Sequence, residues 1–421
     1  MTDKEKLKEK LELYIHIPFC AHKCNYCDFV SFAGCEDKYD EYVDALCKEI
    51  ILSAPAYKDY RISSIYIGGG TPSILSSEQI SKIVKCLYKN FDIGTTKAKH
   101  KGIRPSKRRK IRPEVEFSIE GNPNSLTKEK LKTYKKLGIN RLSIGLQTTN
   151  DNDLKMLGRI HTFEDFTTCF KNARILGFDN INIDLLEAIP NQSLLEWQRT
   201  MLLVSTWLPE HISAYSLMIE ENTPFYEMQK EGRLNLPDEE TERQIYYYTK
   251  EYLEKCGYHR YEISNYAKND FECEHNKGYW RRVNYLGLGL NSSSMINNVR
   301  WKNTDNLDEY LSAFKGKTSA MELIKKDEEK LSHKAQIEEY MFLGLRLCAG
   351  ISKADFFKTF GQDFDFTYGE VVDKLLEEDY ITVEYMPFLN EQGATIPDYV
   401  VKLTDKGIDF SNKVLAEFLL D

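Results

Sequence analysis

Three cysteines, Cys20, Cys24 and Cys27, stand at x3 and x2 spacing directly after the apolar run LYIHIP. A loop of that length lets three thiolates converge on one face. Three thiolates can hold three irons of a four-iron cluster and leave the fourth iron open to an outside ligand. The spacing alone also suits a tetrahedral zinc completed by His22 or Cys35, so the residues by themselves leave both metals open. Farther along, Gly68-Gly69-Gly70-Thr71-Pro72 permits close approach of backbone to a ligand, although a plain strand-to-helix turn would use glycine too. Glu120 in EGNPN, Gln147, and Asp184 in NINIDLL lie in or at the ends of apolar runs, and Arg159 follows in LGRIHT. A carboxylate in such a run is costly unless it is paired or bonded to a ligand. Each of these residues alone reads equally well as solvated strand-end polarity, and their recurrence at successive strand ends makes them a set.

The elements that must position these side chains are alternating strands and helices. The first half of the chain predicts strands at 12–17, 62–67, 114–119, 141–146, 181–186 and 211–217, with helices near 37–53, 76–90, 127–137, 163–177 and 193–206. Ser76 or Ser77, Thr127, Thr162 and Ser193 are good helix N-caps, and Gly138 and Gly177 sit where helices end. Six strands with helical crossovers imply a parallel sheet, open or partly closed as a barrel, with ligands at the carboxyl ends of the strands. All the residues above fall there. A further helix at about 238–256, an irregular polar and aromatic stretch at 258–306, and a compact C-terminal set of helices with a small antiparallel wing around Gly393 complete the reading.

The phrase YIHIPFCAHKCNYCDF resembles a signature of the coproporphyrinogen-dehydrogenase-like branch of the radical S-adenosylmethionine superfamily. The resemblance implies an α/β fold, a partial (β/α)6 barrel with a smaller C-terminal α+β, winged-helix-like domain. It also implies a 4Fe–4S cluster on Cys20, Cys24 and Cys27, whose open iron chelates the amino and carboxylate groups of S-adenosylmethionine. One electron from the cluster then cleaves the sulfonium bond and yields a 5′-deoxyadenosyl radical. By the same resemblance Tyr14 lies beside the cluster, and Gly68, Gly69, Gly70 and Thr71 contact the methionine amino group. Glu120, Gln147, Arg159 and Asp184 line the S-adenosylmethionine site. In chemical terms, Asp184 can accept both ribose hydroxyls, Gln147 can add a donor and Arg159 can pair with the methionine carboxylate. After the fifth strand this chain reads Ala188-Ile189-Pro190-Asn191-Gln192 where the family usually has Gly-Leu-Pro-Gly-Gln; Asn tolerates left-handed backbone, so the turn can survive.

Two families of the branch compete. Oxygen-independent coproporphyrinogen III dehydrogenases typically carry another cysteine two places after the triplet and a longer N-terminal extension. Here that position is Phe29 and few residues precede Tyr14, which is similar to the heme chaperone (HemW) family instead. His275-Asn276-Lys277-Gly278-Tyr279-Trp280 matches the HNxxYW motif of that family, which is associated with heme. An imidazole can ligate heme iron and flat rings can cover the macrocycle, with Cys273 as an alternative ligand. The plain alternative is a core histidine beside two packing aromatics. The phrases EEYMFLGLRLCAGIS and VKLTDKGIDFSNKV resemble the same family. Ser293 stands where the family often has histidine. The function implied is binding of heme and its delivery to acceptor hemoproteins, membrane-bound ones included. The alternative is decarboxylation of coproporphyrinogen III in porphyrin biosynthesis, and whether the protein is an enzyme is left open. A one-electron reductant is implied as a further partner.

A net charge of −8 gives no general attraction to nucleic acid or anionic membrane. The exception is the basic stretch 94–113, read as a solvated insertion rather than a nucleic-acid patch or localisation signal. The charged N-terminus lacks the apolar core of a signal sequence, and a cytoplasmic protein is expected, with thiols rather than disulfides. Oligomeric state, including a homodimer, is left open. The expected domains are a core at 1–236, a connecting region at 237–333 and a C-terminal domain at 334–421.

Overall fold

The six apolar runs form six parallel strands. In a computed structural model, residues 8–94, 115–316, 320–389, 395, 396 and 398–420 are described. The N-terminal residues 1–7, Gly393 and, apart from Gly94, the basic stretch 94–113 lie outside them. Strands and helices alternate as β1 (Glu9–Ile17), α1 (Tyr39–Ser53), β2 (Tyr60–Gly69), α2 (Ser77–Asn90), β3 (Glu116–Gly121), α3 (Lys128–Leu137), β4 (Arg141–Gln147), α4 (Asp151–Met156), α5 (Phe163–Ile175), β5 (Ile181–Glu187), α6 (Leu194–Thr206) and β6 (His211–Ser216). Each strand pairs in parallel with the next, from β1 to β6. Leu13, Ile15 and Ile17 of β1, with Phe117, Ile144 and Ile183 of β3, β4 and β5, belong to one buried core, as expected for strands covered on both faces.

The helices start where their caps dictate. Ser76 with Gln79, Thr162 with Asp165 and Ser193 with Glu196 form reciprocal capping boxes, and Thr127 caps α3. Gly138, at φ 93°, ends α3 in the left-handed region.

The segment after β6 contributes more to the sheet than its irregular sequence promised. It carries α7 (Pro224–Lys230), α8 (Glu239–Lys255), β7 (His259–Arg260), β8 (Asn265–Ala267), α9 (Glu274–Trp280), β9 (Tyr285–Leu288), β10 (Ser293–Ile296), β11 (Val299–Asn303), α10 (Leu307–Ala313), α11 (Ala320–Ile324) and β12 (Lys325–Lys330). β9 adds in parallel to the free edge of β1, and β10 and β11 extend it as an antiparallel hairpin. The sheet order is β12-β11-β10-β9-β1-β2-β3-β4-β5-β6-β8-β7, so β1 and β6 do not meet and the barrel is open. The buried Glu49 of α1 fastens this extension, accepting hydrogen bonds from Gly289 N (2.8 Å), Asn303 Nδ2 (2.6 Å) and Tyr310 Oη (2.5 Å).

The chain divides into two compact units. The first comprises the described residues of Met1–His259, Tyr266–His275 and Asn284–Glu329; the second comprises those of Arg260–Asn265, Asn276–Val283 and Lys330–Asp421. The second unit contains α12 (His333–Gly344), β13 (Ile351–Ser352), α13 (Lys353–Phe360), α14 (Phe364–Glu377), β14 (Ile381–Tyr385), β15 (Phe388–Leu389), β16 (Thr395–Ile396), β17 (Tyr399–Leu403), α15 (Asp405–Asp409) and α16 (Ser411–Ala416). Its sheet runs β13-β17-β14, all antiparallel, over a core that includes Met341, Phe356, Tyr368, Val401 and Phe418. That is the helix-plus-wing pattern expected for this region. Among the described residues no helix is long and apolar enough to cross a membrane.

Candidate cluster and nucleoside site

The cysteine loop leaves β1 and is tied down at both ends. Cys20 N donates to Phe32 O (3.0 Å) and Phe32 N to Pro18 O (2.8 Å). Asn25 in its middle donates from N to Leu157 O (3.0 Å) and from Nδ2 to Met156 O (2.8 Å), while its own carbonyl accepts from Phe225 N (3.0 Å). The glycine run after β2 packs directly behind, with Gly70 N on Ile17 O (2.9 Å) and Thr71 N on Phe19 O (2.8 Å). A Cβ on Gly70 would lie 2.7 Å from Phe19 O and 2.9 Å from Cys20 Sγ, so only glycine allows this approach. Thr71 Oγ1 lies 3.5 Å from Cys20 Sγ, and Arg159 Nη1 donates to Cys24 Sγ at 3.5 Å. Burial pushes the Cys27 thiol up to about 11, with the nearby Cys24 and Cys20 sulfurs adding to the shift. Three thiolates in one loop would thus repel one another without a cation to hold them.

Of the residues expected to hold the nucleoside, Thr71 and Arg159 line one cleft beside the cysteine loop, and Tyr14, Gly68, Gly69, Gly70, Glu120, Gln147 and Asp184 are not among its lining residues. Asn122 and Arg159 meet across Gly145: Arg159 Nη2 donates to Asn122 Oδ1 and to Gly145 O (2.9 Å). A Cβ on Gly145 would meet Gln147 Nε2 at 2.9 Å and Arg159 Nη2 at 3.1 Å. Gln147 takes a left-handed φ of 72° at an irregularity in the β4–β5 register, which turns its amide back over Gly145. Asn122 Nδ2 also reaches Thr71 Oγ1 (3.2 Å). Cys24, Thr71, Asn122, Gly158 and Arg159 line an open cleft with an empty volume of about 390 Å³. Asn122 was not singled out from the sequence, although its place two residues after Glu120, past the end of a strand, carried the same signal.

Glu120 and Asp184 are carboxylates half-buried near this end of the barrel. Glu120 Oε1 accepts from Tyr66 Oη (2.8 Å) and Oε2 from Gly69 N (3.1 Å). Burial pushes its carboxyl up to about 7, opposed by the Tyr66 hydrogen bond and reinforced by Asp184. Asp184 accepts from Ser143 Oγ (2.9 Å) and Asn182 Nδ2 (2.7 Å), and burial raises it above the usual range. Asn182 is in turn held by His211, whose Nδ1 lies 2.6 Å from Asn182 Oδ1. A carboxylate has about four acceptor sites, so each keeps capacity for a ligand. Tyr14 of β1 is half-buried, with its hydroxyl 3.1 Å from His16 Nδ1.

His275 sits apart from the cleft, inside the first unit. Its ring is 2 % exposed and Nδ1 lies 2.7 Å from Ser64 Oγ. It stacks on Tyr66 (5.2 Å between ring centres, 20°) and beside Tyr14 (6.4 Å, 26°). Burial lowers its pKa to about 3, so the imidazole is neutral. The next residues belong to the second unit, where Trp280 is half-buried with the Arg346 guanidinium 4.9 Å above its ring.

Three cysteine sulfurs in one short loop, with Thr71 Oγ1 against one and Arg159 against another, are a donor set of the kind a four-iron cluster takes, each thiolate on a separate iron. Comparisons agree. The Radical SAM superfamily model matches residues 14–204 and the HemN C-terminal domain model residues 331–384. A heme chaperone HemW of Bacillus subtilis is 36% identical, covering 96% of this chain and 98% of its own length. One of Lactococcus lactis is 33% identical over 99% of both chains. The solved structure of coproporphyrinogen III oxidase (HemN) from Escherichia coli, described as a radical SAM enzyme, superposes with a TM-score of 0.78 at 22% identity, covering 98% of this chain and 90% of the other. At that identity the likeness speaks for the fold alone.

Proposed function

The chain belongs to the HemW heme chaperone family of the radical SAM superfamily, and from that premise we propose that it binds heme and passes it to acceptor hemoproteins. The observation that carries this reading is identity to named heme chaperones along nearly the whole chain, both units included. In this reading Cys20, Cys24 and Cys27 hold a 4Fe–4S cluster. Such a cluster, when bound, supplies one electron to S-adenosylmethionine, and it takes that electron from an external reductant. Gly68, Gly69, Gly70 and Thr71 present backbone to the methionine end, and Arg159 supplies a fixed positive charge there. Glu120, Gln147 and Asp184 offer the remaining polar contacts, and Tyr14 lies beside the cluster.

Heme ligation by His275 requires its imidazole to leave Ser64 and Tyr66, because the ring has no exposed face in this conformation. Tyr279 and Trp280, which follow it in the sequence, are half-buried. The proposed location is the cytoplasm, and the proposed acceptors include membrane-bound hemoproteins. The alternative, decarboxylation of coproporphyrinogen III, draws on the shared fold and on nothing else in the cleft.

The reading is tested by loading the purified full chain with heme and mixing it with an apo-hemoprotein. Transfer should appear as loss of the donor Soret band and growth of the acceptor's. A chain that binds no heme, or holds it without release to any apo-acceptor, would end the proposal.

A further inference from the structure

Ser64 and Tyr66 stand two residues apart on β2 and therefore face the same side, into the barrel. His275 is clamped by both: Ser64 Oγ lies 2.7 Å from its Nδ1, and the Tyr66 ring lies nearly parallel to it at 5.2 Å. Tyr14 flanks this pair, 6.4 Å from each ring and within 26° of parallel. Three near-parallel rings leave Tyr66 little freedom to turn, and its hydroxyl is fixed at 2.8 Å from Glu120 Oε1. Gly69 N holds the other oxygen, so the carboxylate is set in one orientation at the mouth of the glycine run.

We infer that Tyr66, braced by His275, is a positioning residue for S-adenosylmethionine that acts through Glu120. The inference rests on the proposed S-adenosylmethionine site and gives His275 a role that needs no contact with heme. Tyr66 and His275 do not line the cleft, and Glu120, on which both act, stands beside it at the glycine run through its bond from Gly69 N. The Tyr66 hydrogen bond also opposes the burial that pushes Glu120 toward the protonated form. The groups facing Glu120 are Tyr66 of β2, Tyr14 of β1, Arg141 of β4 and Asp184 of β5. Removing the Tyr66 hydroxyl leaves burial and Asp184 less opposed, so the carboxyl moves farther up and more of it is protonated near neutral pH.

The experiment measures equilibrium binding of S-adenosylmethionine to the anaerobically reconstituted full chain from pH 6 to 9, with iron content as the control for the cluster. Tyr66→Phe should weaken binding about tenfold at pH 7 and move the midpoint of the affinity–pH curve upward. Glu120→Gln should weaken binding and flatten the curve, and Tyr66→Phe added to it should change affinity less than about twofold, since the lost bond acts through the missing carboxylate. His275→Ala should weaken binding, and His275→Phe, which keeps a ring against Tyr66, should restore it. Additive losses in the double variant, or a Tyr66→Phe profile equal to wild type, would overturn the positioning role while leaving the site intact. A wild-type chain with full iron that binds no S-adenosylmethionine would remove the site and this role together.

Discussion

Asp184 shows how much a single side chain in an apolar strand conveys. Its cost in NINIDLL marked it as paired or ligand-bound, and it proves to be held by Ser143 and Asn182 with capacity to spare. Those partners were not visible beforehand, because Ser and Asn in a strand look like ordinary alternation. Tyr66 was hidden for the same reason: in ISSIYI it reads as a β-former, and its partner Glu120 is 54 residues away. Asp184→Ala should weaken S-adenosylmethionine binding about ten- to hundredfold with iron content unchanged, whereas the triple Ala variant of Cys20, Cys24 and Cys27 should lose the iron. Iron and nucleoside assays on the two proteins check this; full iron in the triple variant contradicts it. Glu12 gives a second test. Burial pushes its carboxyl up to about 9, well above the unfolded value, in spite of a hydrogen bond from Ser64. The folded chain therefore keeps a proton that the unfolded chain loses. The stabilisation this provides is complete below the usual carboxyl range and is lost as pH rises toward 9. Glu12→Gln should raise the thermal midpoint by about 2–4 °C at pH 8 and leave it unchanged at pH 5. Equal effects at both pH values would argue against a protonated Glu12.

The six barrel strands and the longer helices were readable from apolar runs, Ser or Thr caps and glycine ends, whereas the short α4, capped by Asn150, was not expected. The extension from β9 to β12 was not, since its strands are short and its partner edge, β1, lies far away in sequence. One clue did exist. Asn297 and Asn298 both take positive φ between β10 and β11, and Asn-Asn between alternating residues is a hairpin signal. The approach of the β2 glycine run to the cysteine loop is the element contact on which the proposed cluster site depends. Gly70→Ala places a methyl against Phe19 O and Cys20 Sγ, with backbone on one side that cannot yield. It should lower iron loading while the chain stays folded, whereas Gly316→Ala, which meets nothing within 4 Å, should not. Iron analysis with circular dichroism on both variants reads the difference, and normal iron in Gly70→Ala would mean the loop adapts.

Chaperone and oxidase alike span both units, and what favours a carrier over a decarboxylase is sequence identity, 36% and 33% to the named heme chaperones against 22% to the oxidase. The barrel is common to chaperone and oxidase alike, as the likeness to HemN makes plain. Sequence features that pointed to the carrier were local: Phe29, 65 % exposed where the dehydrogenases have cysteine, and the HNKGYW phrase. The sequence did not reveal that His275 is stacked inside the first unit, since a histidine before aromatics looks the same whether it faces a macrocycle or a tyrosine. The most direct measurement puts both activities on one sample. The full chain, reconstituted anaerobically, is titrated with heme and separately incubated with coproporphyrinogen III, S-adenosylmethionine and a one-electron reductant, with porphyrins identified by mass spectrometry. The account predicts saturable heme binding, recovery of heme of unchanged mass, and coproporphyrinogen left with all its propionates. Catalytic formation of protoporphyrinogen by a sample that takes up no heme would contradict it.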